Sequence, residues 1–214
     1  MKKKKDNRNF IIGIDEVGRG ALAGPVTVAA FLLPRNFQFP NSNFQKISKI
    51  KLKDSKKLSP RQREIWFKCI KENQNLFYTI ASTPPKLIDK INISQAANLA
   101  ATNALQALIK NYKLKIKNCR VYLDGGLHLN TKTLNTKYLI LNTKTIIRGD
   151  EKIPAITLAS IVAKVTRDCR MKRAHKKYPT YDFINNVGYG TKKHIKAIKK
   201  SGHSPIHRKS FKIK

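Results

Sequence analysis

Residues 11–20 read IIGIDEVGRG. An apolar run of the kind that fills a buried strand passes directly into two adjacent acids, Asp15 and Glu16. Gly18 and Gly20, flanking Arg19, follow at once. The setting makes this placement unusual: the 214-residue chain carries 45 Lys and Arg against 12 Asp and Glu, a formal net charge of +33. Two of the few acids therefore sit side by side at the mouth of a strand.

The overall composition bounds the partners. A hydrophobic content of 41% excludes a wholly disordered chain despite the charge. A net charge of +33 concentrates polyanions, and nucleic acid is the polyanion that best fits, because Lys and Arg on phosphates release condensed counterions. The three cysteines, Cys69, Cys119 and Cys169, are widely spaced with no CxxC, which suits free thiols in a reducing compartment rather than a disulfide framework or zinc site. The basic N-terminal run leads into an apolar stretch too short for a signal peptide, and no segment reaches the ~18 apolar residues of a membrane span. A cytoplasmic location and no membrane partner are expected.

Periodicity lays out the elements. Strands are expected at residues 10–14, 25–33 (PVTVAAFLL), 76–81, 119–123, 138–141 and 145–147. A helix begins at Ser59-Pro60-Arg61-Gln62, with a serine N-cap, proline in the first turn and a capping-box glutamine. Apolar residues at helical spacing mark further helices over 94–111, 154–177 and 192–200. Residues 1–8 read as a basic tail, 9–214 as one mixed α/β domain, and about 178–214 as its basic C-terminal extension.

Twelve acids can be placed one by one. Asp6 lies in the tail, Asp54 in a turn, Asp182 in a loop, and Glu64, Glu72, Asp89 and Asp168 on expected helices or their edges. These read as caps, solvated charges or partners of lysines. Asp15, Glu16, Asp124, Asp150 and Glu151 remain, and Asp15, Asp124 and Asp150 each directly follow a β-type segment. Asp-Gly is a common turn pair, so Asp124 by itself reads more readily as a turn residue. Jointly, clustered carboxylates repel one another unless a cation joins them. Hard Mg²⁺ or Mn²⁺ ions prefer such oxygens, and two ions about 3.5–4 Å apart can promote phosphodiester hydrolysis. Gly18-Arg19-Gly20-Ala21-Leu22-Ala23 also satisfies a dinucleotide-loop spacing. Two acids precede those glycines, however, and no acid occurs between Glu16 and Asp54 to bind a ribose, so that reading fails.

Seven ordered blocks, GIDEVGRGALAGPV, LKDSKKLS, INISQAANLA, VYLDG, RGDEKIPAITLASIVAKVTRD, GYGT and HRKSF, resemble the ribonuclease HII family, the bacterial type 2 ribonucleases H. The resemblance implies an α/β fold: a ribonuclease H-like mixed β-sheet flanked by helices, with a C-terminal helical extension. It implies an endonuclease acting on the RNA strand of RNA–DNA hybrids. It also implies cleavage 5′ of single ribonucleotides in duplex DNA, leaving 3′-hydroxyl and 5′-phosphate ends. The catalytic and metal-binding acids map onto Asp15, Glu16, Asp124 and Asp150, with two Mn²⁺ or Mg²⁺ ions as cofactors. Glu151 stands where the family pattern leads us to expect a non-acidic residue. The backbone of Gly18, Arg19 and Gly20 is implied to read the 2′-hydroxyl, and Tyr189 of GYGT to stack on the following deoxyribose. Lys56 and Lys164 are candidate phosphate contacts, and His207 of HRKSF is assigned packing or a phosphate contact rather than metal ligation. The stretch FINNVGYGT lacks the basic residues expected just before GYGT, and the lysine-rich tail is additional. A monomer is expected. Two other readings stay open: a different ribonuclease H-like nuclease that ignores the 2′-hydroxyl, and a non-catalytic basic RNA-binding protein.

Overall fold

A computed structural model describes residues 9–37, 58–130 and 143–213. Lys56, the basic tail and the strand expected at 138–141 lie outside the described residues. Among the described residues five strands form one sheet in the order β3-β2-β1-β4-β5. They are β1 (Phe10–Val17), β2 (Val26–Pro34), β3 (Phe77–Thr83), β4 (Cys119–Asp124) and β5 (Thr143–Ile146). β1 and β2 pair antiparallel, as do β2 and β3, whereas β1, β4 and β5 run parallel. The C-terminal ends of those three parallel strands therefore share one edge of the sheet.

Helices cover both faces. α1 (Pro60–Glu72) starts on the expected capping box, with Ser59 Oγ accepting from the Gln62 amide and the Gln62 side chain accepting from the Ser59 amide. α2 (Pro85–Ile91) and α3 (Ile93–Asn111) follow β3. α2 was not anticipated from periodicity, being too short to display it, although Pro85 in its first turn is a start signal. α4 (Gly149–Lys152) is a single turn leading into α5 (Pro154–Lys177), and α6 (Phe183–Asn186) and α7 (Lys192–Ser201) complete the chain.

Alternation along β1 sends side chains to two cores. Ile12 and Ile14 join Val121, Leu123 and the alanine-rich face of α3, where Ala97, Ala100, Ala101 and Ala104 let the helix lie close to the sheet. On the opposite face Ile11 and Val17 pack with Ala155, Leu158, Ala159 and Val162 of α5 and with Trp66 and Ile70 of α1. Gly13 is required there: a Cβ on it would stand 2.2 Å from the Ala155 carbonyl carbon and 2.3 Å from the Ile156 nitrogen. The absence of a side chain lets α5 press its first turn directly onto β1. A third cluster, Ala23, Met171, Tyr181, Phe183 and Ile198, joins the C-terminal extension to α5 and to the segment after β1.

Candidate active site

The parallel register of β1 and β4 sets Ile14 opposite Leu123, so Asp15 and Asp124 emerge on adjacent strands. One oxygen from each of Asp15, Glu16 and Asp124 lies within 4.8 Å of the others. Asp15 and Glu16 are not beyond their strand as expected: β1 runs on to Val17 because its pairing with β2 continues as far as Thr27. Asp124 is the last residue of β4. Asp150 is buried in α4 rather than following β5 directly, and its carboxylate is outside the three-residue group. It stands next to that group in the chain, since the Gly149 amide donates to Asp124 Oδ1 at 2.7 Å. Glu151 is exposed, binds Arg148 at 2.6 Å and is not one of the three clustered carboxylates.

Burial and the adjacent Glu16 charge hold the Asp15 carboxyl well above the usual carboxylate range, against a hydrogen bond from Ser160 that pulls the other way. Burial likewise raises Glu16, opposed by Arg19 and reinforced by Asp124. Arg19 ties the site together: it reaches Glu16 Oε1 and the Gly126 carbonyl at 3.3 Å each, and Ser94 Oγ at the start of α3 at 3.0 Å. Glu16 Oε2 is buried with no hydrogen-bond partner. A donor set made only of carboxylate oxygens, repelling one another and holding an orphaned buried acceptor, fits a hard divalent cation.

Beside the cluster, the chain turns through Gly18 (φ +86°) and Gly20. A Cβ on Gly18 would collide with the Arg167 side chain at 2.1 Å, while Gly20 is exposed with nothing within 4 Å of its Cβ position. Tyr189 comes to this loop through the amides of Leu22 and Ala23, which both donate to the Gly188 carbonyl at 2.8 and 3.1 Å. Its own carbonyl accepts from a buried histidine pair. The Ser204 amide donates to His207 Nδ1 at 2.8 Å, which leaves that nitrogen without a proton and puts the hydrogen on Nε2. His207 Nε2 then donates to His194 Nε2 at 2.9 Å, and His194 Nδ1 donates to the Tyr189 carbonyl at 2.8 Å. The packing role expected for His207 agrees with this position. Lys164, on α5, pairs with Asp168 at 3.4 Å, so its charge is already engaged within its own helix. The three cysteines are free, and burial pushes the Cys119 thiol up to about 11, leaving it inert.

Fold and site define a class: an α/β protein whose sheet presents a carboxylate site suited to divalent cations, within a strongly basic chain. The chain belongs to the ribonuclease HII family, whose pattern matches residues 12–214, and it is accordingly a ribonuclease H enzyme. The ribonuclease HII of Endomicrobium trichonymphae is 42% identical over 207 residues, covering 96% of this chain and 87% of that protein. The ribonuclease H2 of Pyrococcus horikoshii OT3 superposes with a TM-score of 0.69 at 24% identity, over 95% of this chain and 94% of that one. Bst-RNase HIII, solved in complex with Mn²⁺, superposes equally well at 0.69 with 17% identity, over 97% of this chain and 68% of that one. Both superpositions show the fold, the expected ribonuclease H-like mixed sheet flanked by helices. No helix among the described residues is long and apolar enough to cross a membrane.

Proposed function

We propose that this chain is an endoribonuclease of the cytoplasm that hydrolyses the RNA strand of RNA–DNA hybrids. The same site is proposed to cut 5′ of single ribonucleotides in duplex DNA, leaving 3′-hydroxyl and 5′-phosphate ends. Residues 9–214 form the catalytic domain, of which about 178–214 are the basic extension. The observation that carries this reading is the convergence of Asp15, Glu16 and Asp124 beside the Gly18–Gly20 loop.

Asp15, Glu16 and Asp124, with Asp150 as a fourth carboxylate, would hold the metal. Two divalent ions held there, Mg²⁺ or Mn²⁺, would supply Lewis acidity for phosphodiester hydrolysis. The Gly149 amide orients Asp124, Ser160 orients Asp15, and Arg19 restrains Glu16. The exposed backbone at Gly20 leaves room for a sugar to approach and present its 2′-hydroxyl. Tyr189, half-buried, offers a ring face to the next sugar. The net charge of +33 supplies sequence-independent affinity for the duplex.

A DNA duplex containing one ribonucleotide, incubated with Mg²⁺ or Mn²⁺ beside an all-DNA control, tests the proposal. Cleavage 5′ of the ribonucleotide with the control intact is expected. Cutting of both duplexes would favour a nuclease blind to the 2′-hydroxyl. No cutting of the ribonucleotide duplex by folded protein, with either metal, would refute the proposal.

A further inference from the structure

Two arginines outside the carboxylate cluster lie beneath the loop that borders it. Arg167, in the middle of α5, is 0% exposed, and Arg208, in the HRKSF block, is 1% exposed. A buried guanidinium is costly unless its donors are satisfied. Arg208 Nε donates to the Gly24 carbonyl at 3.0 Å, Nη1 to the Arg19 carbonyl at 2.9 Å, and Nη2 to the Gly18 carbonyl at 2.6 Å. Arg167 Nε donates to the Pro25 carbonyl at 3.0 Å, Nη2 to the Ala23 carbonyl at 3.1 Å, and Nη1 to the Val187 carbonyl at 2.8 Å. Five of these acceptors belong to the segment from Gly18 to Pro25, and the sixth lies two residues before Tyr189.

The consequence follows from peptide geometry. In a planar trans peptide the C=O of one residue and the N–H of the next point to opposite sides. With the carbonyls of Gly18 and Arg19 held inward by Arg208, the amides of Arg19 and Gly20 are turned outward, to the side where Gly20 is open. Arg167 acts on a second coordinate. Its guanidinium carbon lies 5.5 Å from the centre of the Tyr189 ring, and the same side chain fills the space that a Cβ on Gly18 would take. One rigid fork thereby spans the glycine loop and the aromatic ring. Lysine, a point charge with no planar fork, cannot hold three divergent carbonyls at once.

We propose that Arg167 and Arg208 are positioning residues for ribonucleotide selectivity: Arg208 turns the loop amides toward the substrate, and Arg167 sets the spacing between that loop and Tyr189. This rests on the reading of the loop and Tyr189 as the elements that recognise a ribose followed by a deoxyribose. A substrate with a single ribonucleotide has one productive register, which demands that spacing. A continuous RNA strand offers many registers and tolerates its loss.

The experiment compares wild type, Arg167→Lys and Arg208→Lys on a single-ribonucleotide duplex and on an RNA–DNA hybrid, with thermal unfolding of each protein. Arg167→Lys is expected to lower kcat/KM on the single-ribonucleotide duplex at least about tenfold more than on the hybrid. Arg208→Lys is expected to lower kcat on both substrates about tenfold or more with KM nearly unchanged, because duplex affinity comes from the basic surface. Equal losses on both substrates for folded Arg167→Lys would overturn the link to Tyr189, and an unchanged kcat for folded Arg208→Lys would overturn its share. If only Arg167→Lys fails to fold, the kcat and KM of Arg208→Lys decide the matter. Unfolding of both variants at the assay temperature would overturn the proposal and leave the arginines a purely structural role. Failure of wild type to cut the single-ribonucleotide duplex would instead refute the reading of the site on which the inference stands.

Discussion

Acid should weaken this fold through its buried histidine pair, and removing His207 should abolish that part of the weakness. His207 is 3% and His194 0% exposed. The chain of hydrogen bonds from the Ser204 amide through His207 and His194 to the Tyr189 carbonyl needs one proton on each ring. A second proton on His194 would set two donors against each other across the 2.9 Å contact, and a second proton on His207, at Nδ1, would face the donating Ser204 amide at 2.8 Å. Burial, with the neighbouring His194 and His203, brings His207 down to about 4, and burial lowers His194 as well. For a histidine whose folded pKa lies below the unfolded value, the unfolded chain binds the proton first. The stabilisation is whole above the unfolded pKa of about 6.5 and is lost as pH falls toward about 4. For His207 alone, integrating from about pH 7.5 to about pH 4.5 gives a loss of ~2.5 kcal/mol, a large fraction of an ordinary domain's stability. The assay is urea unfolding, followed by far-UV circular dichroism and Trp66 fluorescence, at several pH values in constant ionic strength with chelator. Comparing wild type with His207→Gln cancels the carboxylates, including Asp15, whose raised pKa acts in the opposite direction. The variant should be less stable at neutral pH, but its stability should fall ~2.5 kcal/mol less on acidification. Parallel curves for the two proteins would refute the argument that His207 is held neutral.

Asp124→Asn keeps the acceptor for the Gly149 amide while removing one negative charge from the cluster. Cleavage should fall at least about 100-fold, while relief of repulsion leaves the metal-free unfolding temperature equal or higher; undiminished cleavage would remove Asp124 from the site. Gly13→Ala forces a methyl against the backbone of Ala155 and Ile156 and should cost about 3 kcal/mol or more. That corresponds to a drop in Tm on the order of 10 °C, and a shift under 2 °C by calorimetry would contradict the close packing of α5 on β1. Tyr189→Ala should slow cleavage at a single embedded ribonucleotide about tenfold, the worth of one stacked ring, and an unchanged rate would remove its recognition role.

Much of this architecture is local and therefore legible in the chain. The capping box at Ser59, the proline starting α5, and the apolar runs of β1 and β2 are decided by neighbours within a few residues. The acids stand out because they are few in a lysine-rich chain and follow strands, so Asp15, Glu16 and Asp124 can be picked out without coordinates. The same accounting picks out Asp150, and family blocks extend the reading to the glycine loop and Tyr189. Other features are invisible at this level. The parallel pairing of β1 with β4 brings residues 15 and 124 together, and no local pattern encodes a contact over that separation. Ser160 and the Gly149 amide orient carboxylates only because α4 and α5 fold back over the sheet edge. Arg167 and Arg208 are hidden in the sequence by the surrounding basic residues, which share their charge but not their burial. What the sequence by itself determined is which residues can bind metal and phosphate, since that is a matter of side-chain chemistry. What only the tertiary structure decided is which of them act together: long-range packing on Gly13, Gly18 and Gly24 brings β1, α5 and the C-terminal extension within hydrogen-bonding reach of one another.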